Sequence, residues 1–330
     1  MNTIFLATSP LHVIMSTLIA SSLKKENCYL VLCGKEKQRI KQFHSLISGW
    51  SESPFVEVFA LDKAKRPKDF VGVIKKVKPT EVITGNDLVP EFFAIAHLAR
   101  NYTFNLSYMD DGLHSYIEYE KEFPSKFSHK FKNLVRQINK GYKKPFPHTL
   151  GSSPFTKKAY LFFPDLAKDN IKNKECSSIV INENSRNLLS SFGLHCIRNL
   201  HIDFPNATEC LALFVLPHFS RMNNSIKDEF AGAIEKAAAA GMVPIIKNHP
   251  SNDDSLISSF KSQYRNIYII PKSLPVELVI CHHPPQFIMG GLSSIFLSTK
   301  ALTNEIRFNL IGDDYFNIPK QLSKVLMQAR

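Results

Sequence analysis

The sequence predicts an α/β protein with parallel sheets that are covered by helices on both faces. Short apolar runs alternate with longer amphipathic segments, which is the pattern of parallel strands joined by helices. This alternation occurs in the first half of the chain and returns in the second half. A length of 330 residues is enough for two domains of ordinary size. We therefore predict two domains, residues 1–200 and 201–330, with the boundary near Asp203-Phe204-Pro205.

The first half opens with five predicted strands separated by amphipathic helices. The strands are Thr3–Ala7, Tyr29–Cys33, Phe55–Leu61, Glu81–Thr84 and Asn105–Met109. The helices are His12–Lys24, Glu36–Ser48, Asp69–Lys76 and Pro90–Ala99. The next segment, Lys121–Lys158, interrupts the alternation, because it is strongly basic and contains prolines beside helically spaced apolar residues. Two further strands are predicted after this segment, at Ala159–Pro164 and Ile179–Asn182.

The second half repeats the alternation with six predicted strands. They are Leu211–Leu216, Val243–Ile246, Ile267–Ile270, Leu278–His282, Phe287–Met289 and Phe308–Ile311. The predicted helices are Glu229–Ala240, Leu256–Gln263 and the short C-terminal segment Lys320–Ala329. In open parallel sheets, ligands bind beyond the carboxyl ends of the strands. The residues that follow each predicted strand are therefore the first candidates for function.

The composition favours anionic partners and a cytoplasmic setting. A formal net charge of +12 attracts nucleotides, acidic glycans, lipid headgroups or nucleic acid. No apolar run approaches the ~18 residues of a membrane span, and the first residues do not resemble a signal peptide. The six cysteines form no C-x-x-C pair, which favours a reduced protein, although an even number would also permit disulfides.

Asp110-Asp111-Gly112 follows the predicted strand Asn105–Met109 directly. Adjacent side chains on extended backbone point to opposite sides, so one carboxylate is expected to face a ligand while the other supports the loop. Gly112 permits a sharp turn. Two interpretations remain open from these residues alone: a general base, or an aspartate that caps the following turn.

Lys247-Asn248-His249-Pro250 follows the predicted strand Val243–Ile246 in the same way. Pro250 restricts the backbone of His249, which would hold the imidazole in a fixed direction. An imidazole titrates near neutral pH, so it can donate a proton or bind phosphate, and Lys247 adds a positive charge. The alternative is a histidine that only satisfies a turn.

A third predicted strand, Phe287–Met289, leads into Gly290-Gly291 and the paired hydroxyls of Ser293 and Ser294. Backbone amides at the start of a helix can cradle a phosphate, and the serine hydroxyls can assist. Ordinary N-capping of the helix is the alternative.

Two further strand ends are candidate ligand loops, and one histidine pair is not a candidate metal site. The loops are Ser9-Pro10 and Gly85-Asn86. Strand-to-helix capping is the alternative for the first of them. His282 and His283 are adjacent and do not easily converge on one ion, so we predict no metal site.

The ordered set Asp-Asp-Gly, Lys-x-His-Pro and Gly-x-Ser-Ser resembles the motifs of the bacterial sialyltransferases, including the lipooligosaccharide and capsular polysialyltransferase types. The opening Ile4–His12 looks like the first strand and loop of that group, and Leu274–Leu278 resembles its segment between the last two motifs. The resemblance implies a GT-B fold, with two Rossmann-like domains whose parallel sheets face a central cleft. It implies acceptor binding in residues 1–200 and binding of a CMP donor in residues 201–330.

The resemblance also implies roles for individual residues. Asp111 would be the general base that deprotonates the acceptor hydroxyl, with Asp110 as the alternative base. His249 would be the general acid, or charge stabiliser, for the departing CMP phosphate. The other donor-binding residues would be Lys247, Pro250, Glu277, Gly291, Ser293 and Ser294. An acceptor or donor loop would comprise Ser9, Pro10, Asn86 and Gly112.

On this resemblance we expect an inverting, metal-independent glycosyltransferase without a cofactor. It would move sialic acid, or another nonulosonic acid, from a CMP-activated donor to a hydroxyl of lipopolysaccharide or capsule. The alternatives are a transferase of another CMP- or CDP-activated group, such as Kdo or glycerol phosphate, and a non-enzymatic polyanion-binding protein.

The sequence itself also predicts where the protein works and which partners it contacts. It would lie in the bacterial cytoplasm, without a nucleic-acid partner. Lys121–Lys158 would contact either the anionic inner membrane or an anionic glycan, unless it is simply a solvated helix that packs on its domain.

Overall fold

The computed structural model divides the chain into two compact units, Met1–Val180 and Ile181–Arg330. It describes residues 1–23, 27–34, 36–61, 66–89, 91–92, 95–96, 104–117, 150–206, 208–264, 266–291, 293–303, 306–311, 322 and 325. Each unit contains its own parallel sheet. The division falls before the predicted boundary at residue 200, because the helix that begins at Glu183 packs within the second unit.

The first unit is built on a seven-stranded parallel sheet in the order β3-β2-β1-β4-β5-β6-β7. Its strands are β1 Asn2–Ala7, β2 Asn27–Leu32, β3 Phe55–Ala60, β4 Glu81–Thr84, β5 Asn105–Met109, β6 Lys158–Leu161 and β7 Glu175–Ser178. The helices described in this unit are α1 Pro10–Ser22, α2 Lys37–Ser48, α3 Arg66–Val77 and α4 Asp169–Lys172. The strand order reverses between β1 and β4, and ligands bind at such a switch point in doubly wound sheets.

The second unit repeats this plan with a five-stranded parallel sheet in the order β10-β9-β8-β11-β12. Its strands are β8 Leu211–Val215, β9 Val243–Lys247, β10 Tyr268–Ile270, β11 Phe287–Gly290 and β12 Arg307–Leu310. Its helices are α5 Glu183–Asn199, α6 Asn224–Ala239, α7 Ser255–Gln263, α8 Val276–His282 and α9 Ser294–Leu302. Here the strand order reverses between β8 and β11.

The central strands are buried on both faces, which explains their continuous apolar sequences. Ile4, Phe5 and Leu6 of β1 are all inaccessible to solvent, and β8 is buried along its whole length. Helices cover both faces of a parallel sheet, so alternation of apolar and polar residues is not expected there. The α/β class with parallel sheets, predicted from the sequence, is confirmed.

Two predicted strands are wrong. Leu278–His282 belongs to helix α8, because a short buried apolar run fits a strand and a buried helix equally well. The predicted strand Ile179–Asn182 lies just beyond the observed β7. Its last residue, Asn182, instead forms a capping box with Ser185 at the start of α5.

Three predicted segments lie mostly or wholly outside the described residues. They are the basic segment Lys121–Lys158, of which only residues 150–158 are described, the helix Pro90–Ala99, and the C-terminal helix Lys320–Ala329. Within the described part of the chain, none of the helices combines the length and the apolar character needed to cross a membrane.

Candidate functional site

The loops at the switch point of the first unit surround a cavity of about 470 Å³. The predicted residues Ser9, Pro10 and Asn86 all line it, together with Arg39 and Glu36. Ser9 is also the N-cap of α1, since its hydroxyl accepts a hydrogen bond from the backbone of His12, and Pro10 occupies the first turn. Ser9 therefore caps α1, as the alternative interpretation predicted, and at the same time lines a cavity that could hold a ligand.

A buried histidine holds Asp111 at the carboxyl end of β5. His12 Nε2 lies 2.7 Å from Asp111 Oδ1, and the two side chains are 1% and 14% exposed. The backbone amide of Thr8 donates to His12 Nδ1 at 3.2 Å, so this nitrogen is an acceptor. The hydrogen of the neutral ring is therefore on Nε2, which donates it to the carboxylate. Asp111 keeps a partly exposed carboxylate in a fixed orientation.

Gly85 makes this contact possible. Strand β4 lies between β1 and β5, so His12 must cross the end of β4 to reach Asp111. A Cβ atom on Gly85 would lie 2.2 Å from His12 Nε2, well inside van der Waals contact. The absence of a side chain at this position therefore leaves the space that the imidazole occupies.

Asp110 has the opposite environment from its neighbour, because it is fully buried. Its Oδ1 accepts from the amide of Gly112 at 2.8 Å. Its Oδ2 accepts from the amide of Phe162 at 3.0 Å and from the hydroxyl of Tyr116. Burial raises the pKa of Asp110 to about 6. These contacts tie the loop to the end of β6, so the geometry favours Asp111 over Asp110 as a group that meets a ligand.

Two other residues fix the shape of this loop. Gly112 has a φ of 62°, a left-handed conformation that a side chain would strain. The amide of Asp111 donates to the hydroxyl of Ser115 at 2.9 Å, and that hydroxyl is 3.0 Å from the hydroxyl of buried Tyr108. The sharp turn that was predicted at Gly112 is therefore present in the backbone.

In the second unit, His249 follows β9 and is half-buried. Its Nδ1 accepts from the amide of Ser251 at 3.1 Å, which leaves the hydrogen of the neutral ring on Nε2. Burial lowers the pKa of His249, and the neighbouring His218 lowers it further. Pro250, the next residue, is exposed.

Lys247 and Glu277 are buried supports, which differs from their predicted place among donor-binding groups. Lys247 is 6% exposed, and its ammonium donates to the carbonyls of Pro271 and Leu274 at 2.6 and 2.7 Å. Glu277 is 5% exposed and accepts from the hydroxyl of Ser298 at 2.8 Å. Burial raises the pKa of Glu277. Both side chains therefore join elements of the second unit instead of presenting charge to solvent.

The predicted phosphate cradle lies between β11 and α9. A Cβ on Gly290 would lie 2.5 Å from the carbonyl oxygen of Val215, and one on Gly291 would lie 3.3 Å from Pro217. Ser293 is the N-cap residue of α9, which begins at Ser294. The Oγ atom of Ser293 is buried and has no hydrogen-bond partner among the described residues. A ligand oxygen at the start of α9 would satisfy it.

Sequence reasoning missed the contact of His12 with Asp111, although it identified the adjacent loop Ser9-Pro10. No spacing rule connects His12 with Asp111, since the two residues are 99 positions apart. None of the six cysteines forms a disulfide, and no group of three or more His, Cys, Asp or Glu side chains within the described ranges is placed to hold a metal ion.

Comparison with solved structures shows the fold. An α/β-galactoside α-2,3-sialyltransferase from Photobacterium phosphoreum is 15% identical, with a TM-score of 0.58 over 99% of this chain and 94% of that one. A UDP-GlcNAc 2-epimerase from Neisseria meningitidis is 12% identical, with a TM-score of 0.56 over 100% and 94%. At these identities the likeness concerns the fold, and it confirms the GT-B architecture of two Rossmann-like units.

Comparison of sequences identifies the family. No curated protein sequence matches the chain. The profile described as "Alpha-2,8-polysialyltransferase (POLYST)" matches residues 3–311. That range includes the loop of Asp111, His249 with its proline, and the serine pair before α9. The chain belongs to the alpha-2,8-polysialyltransferase family and is a glycosyltransferase.

Proposed function

We propose that this protein transfers sialic acid, or another nonulosonic acid, from a CMP-activated donor to a hydroxyl of lipopolysaccharide or capsule. The reaction would invert the anomeric centre and need no metal or other cofactor. One observation carries the proposal: in a polysialyltransferase-family chain, the carboxylate of Asp111 is partly exposed and held by His12 at the carboxyl end of β5.

Asp111 is proposed as the general base. Its Oδ1 is held by the imidazole of His12, and its other oxygen would take the proton of the acceptor hydroxyl. The acceptor glycan would bind in the nearby cavity, whose wall includes Ser9 and Asn86. A net charge of +12 would favour anionic acceptors as well as an anionic donor.

The donor phosphate is proposed to bind at the carboxyl edge of the second sheet. The Nε2 hydrogen of His249, the hydroxyl of Ser293 and the first amides of α9 are suitable donors for its oxygens. They would stabilise the negative charge that develops on the departing CMP. Direct displacement by the acceptor would then give inversion.

The donor class is tested by thermal unfolding in the presence of CMP, CDP, UMP or UDP. We expect CMP to raise the unfolding temperature most, because only a nucleotide that binds the folded state stabilises it. A preference for CDP would favour transfer of a CDP-activated group, and a preference for UDP would overturn the proposal. Transfer from CMP-sialic acid to a sialylated oligosaccharide, unchanged by EDTA, tests the reaction and its independence of metal.

The non-enzymatic alternative and the proposed membrane contact are each tested by a binding measurement. A polyanion-binding protein would bind random DNA in a salt-dependent manner and show no stabilisation by CMP. The proposed membrane contact through Lys121–Lys158 would appear as binding to vesicles that contain anionic lipid, and not to neutral vesicles.

A further inference from the structure

A second histidine lies beside His249 at the carboxyl edge of the second sheet. His218 follows β8, which is the strand between β9 and β11. The strands on either side of β8, β9 and β11, lead to His249 and to Ser293, the residues proposed to bind the donor phosphate. A Cβ on Gly291 would be 3.3 Å from Pro217, so the loop before His218 also touches the loop before α9. His218 therefore occupies the middle of this edge.

The two imidazoles are in contact and present the same nitrogen. Their ring centroids are 5.1 Å apart, the planes are at 86°, and both residues are half-buried. His218 Nδ1 accepts from the amide of Ser220 at 3.3 Å and lies 2.7 Å from the hydroxyl of the same residue, and His249 Nδ1 accepts from the amide of Ser251 at 3.1 Å. In the neutral form, each ring therefore carries its hydrogen on Nε2. The pair offers two N–H donors.

The spacing of the pair is fixed by a buried amide. Asn252 is 7% exposed, and its Nδ2 donates to the carbonyl of Pro217 at 3.0 Å and to Asn248 Oδ1 at 2.9 Å. Its Oδ1 accepts from the amide of Phe219 at 2.7 Å. One side chain thus joins the loop of His218 to the loop of His249.

We propose that His218 and His249 together form a two-imidazole site for a phosphate group, in which each ring donates Nε2–H to a different phosphate oxygen. This inference rests on the proposed function and extends it, because the phosphate would be that of the CMP donor. Anion binding suits the pair better than metal binding: a metal needs an unprotonated nitrogen, and each Nδ1 is already occupied as an acceptor.

Two variants of His218 distinguish the functions of its two ring nitrogens. In His218→Asn, the amide can replace Nδ1 as acceptor for Ser220, but the Nε2 donor is lost. In His218→Gln, an NH₂ group can take the place of Nε2–H. The matched control is His195→Asn, because His195 is also half-buried in the second unit and lies on α5, where its Nδ1 is 3.3 Å from Asn199 Nδ2.

Affinities for CMP and for cytidine are measured by isothermal titration calorimetry on the full chain. We expect His218→Asn to weaken CMP binding by about tenfold to a hundredfold, as for loss of a hydrogen bond to a charged group, and to leave cytidine binding unchanged. His218→Gln should recover part of the affinity, and His195→Asn should bind like the unaltered protein.

Equal CMP affinity in His218→Asn and the unaltered protein would overturn the inference. An equal loss of cytidine affinity would also overturn it, because the loop and not the phosphate contact would then be responsible. Failure of the unaltered protein to bind CMP would instead count against the proposed donor. In that case, inorganic phosphate titrated into the full chain should still shift the imidazole NMR signals of His218 and His249, and unchanged signals would refute the site.

Discussion

Asp110 and Asp111 are adjacent in sequence, yet they differ in burial, in partners and in expected effect on the protein. Asp110 accepts three hydrogen bonds in a solvent-free environment, whereas Asp111 is held by one imidazole at the edge of the sheet. Mutation of Asp110 should therefore mainly lower the stability of the fold, and mutation of Asp111 should mainly lower kcat.

Asp111→Asn should lower kcat by about 10²–10⁴-fold with little change in unfolding temperature, because the proposed base is lost while the side chain keeps its shape. Asp110→Ala should instead destabilise the fold. It leaves the amides of Gly112 and Phe162 and the hydroxyl of Tyr116 buried without their acceptor, at about 1–3 kcal/mol for each group. Transfer assays and urea unfolding measure the two effects. Full activity in Asp111→Asn would contradict its assignment as the base.

The pKa of Asp110 predicts a pH dependence of stability. Burial raises this pKa from 3.8 to about 6, so the folded state keeps a proton that the unfolded state has already lost. The free energy of unfolding contributed by Asp110 should therefore fall as pH rises from about 4 to about 6, by the order of 3 kcal/mol.

Urea unfolding at several pH values, compared between the unaltered protein and Asp110→Asn, measures this contribution. The stability advantage of the unaltered protein should shrink as pH rises through that range. Parallel stability curves for the two proteins would show that Asp110 does not titrate there.

Gly85→Ala should reduce kcat by the order of 10²-fold, because the new Cβ displaces His12 and misplaces Asp111. The matched control is Gly72→Ala, whose Cβ meets no atom within 4 Å. Gly72 lies inside α3, so the control should keep its activity and gain about 0.5–1 kcal/mol. Similar kcat values for the two variants would contradict the role of Gly85.

At the level of secondary structure elements, the packing of α8 against α5 shows what sequence patterns cannot predict. The run 278–282 is short and mostly apolar, so its sequence fits a strand as well as a helix. In the structure these residues are helical and pack against α5 through a contact that the pattern does not contain, the close approach of Gly193 to the carbonyl of Leu278. Amphipathic helices such as α2 and α6 were predictable, because half of each faces solvent and its periodicity is visible.

Gly193→Ala should separate α5 from α8, since its Cβ would lie 2.5 Å from the carbonyl oxygen of Leu278. We expect a loss of about 1–3 kcal/mol in the free energy of unfolding. Gly232→Ala on α6 is the control, because nothing lies within 4 Å of its Cβ, and it should gain about 0.5–1 kcal/mol. Chemical unfolding of both variants provides the measurement, and stabilisation by Gly193→Ala would argue against the close contact.

For the molecule as a whole, the two units have separate sheets and separate cores. The core of the second unit is formed by apolar side chains of its own strands and helices, among them Phe214, Phe230 and Ile246. A fragment of residues 181–330 should therefore unfold cooperatively on heating, and CMP should stabilise it if the donor site is as proposed. Calorimetry of the fragment tests this, and a gradual loss of structure without a transition would contradict it.

The order of the motifs was readable from the sequence because each follows a strand, and strand ends of a parallel sheet share one edge. The contacts between motifs were not readable. His12 reaches Asp111 across the end of β4 because Gly85 leaves space for the imidazole, and His218 approaches His249 because β8 and β9 are neighbours. Lys247 seemed a ligand by its charge, but the tertiary structure places two carbonyls beside it.

The separation of His12 from Asp111 also has a consequence for biosynthesis. The two residues are made 99 positions apart, and the loop of Asp111 is secured only when Phe162 of the next strand region donates to Asp110. Pairing of parallel strands needs long crossover connections, and such distant contacts form slowly. We therefore expect a ribosome-bound chain to complete the surroundings of its proposed base only after β6 and Phe162 have emerged.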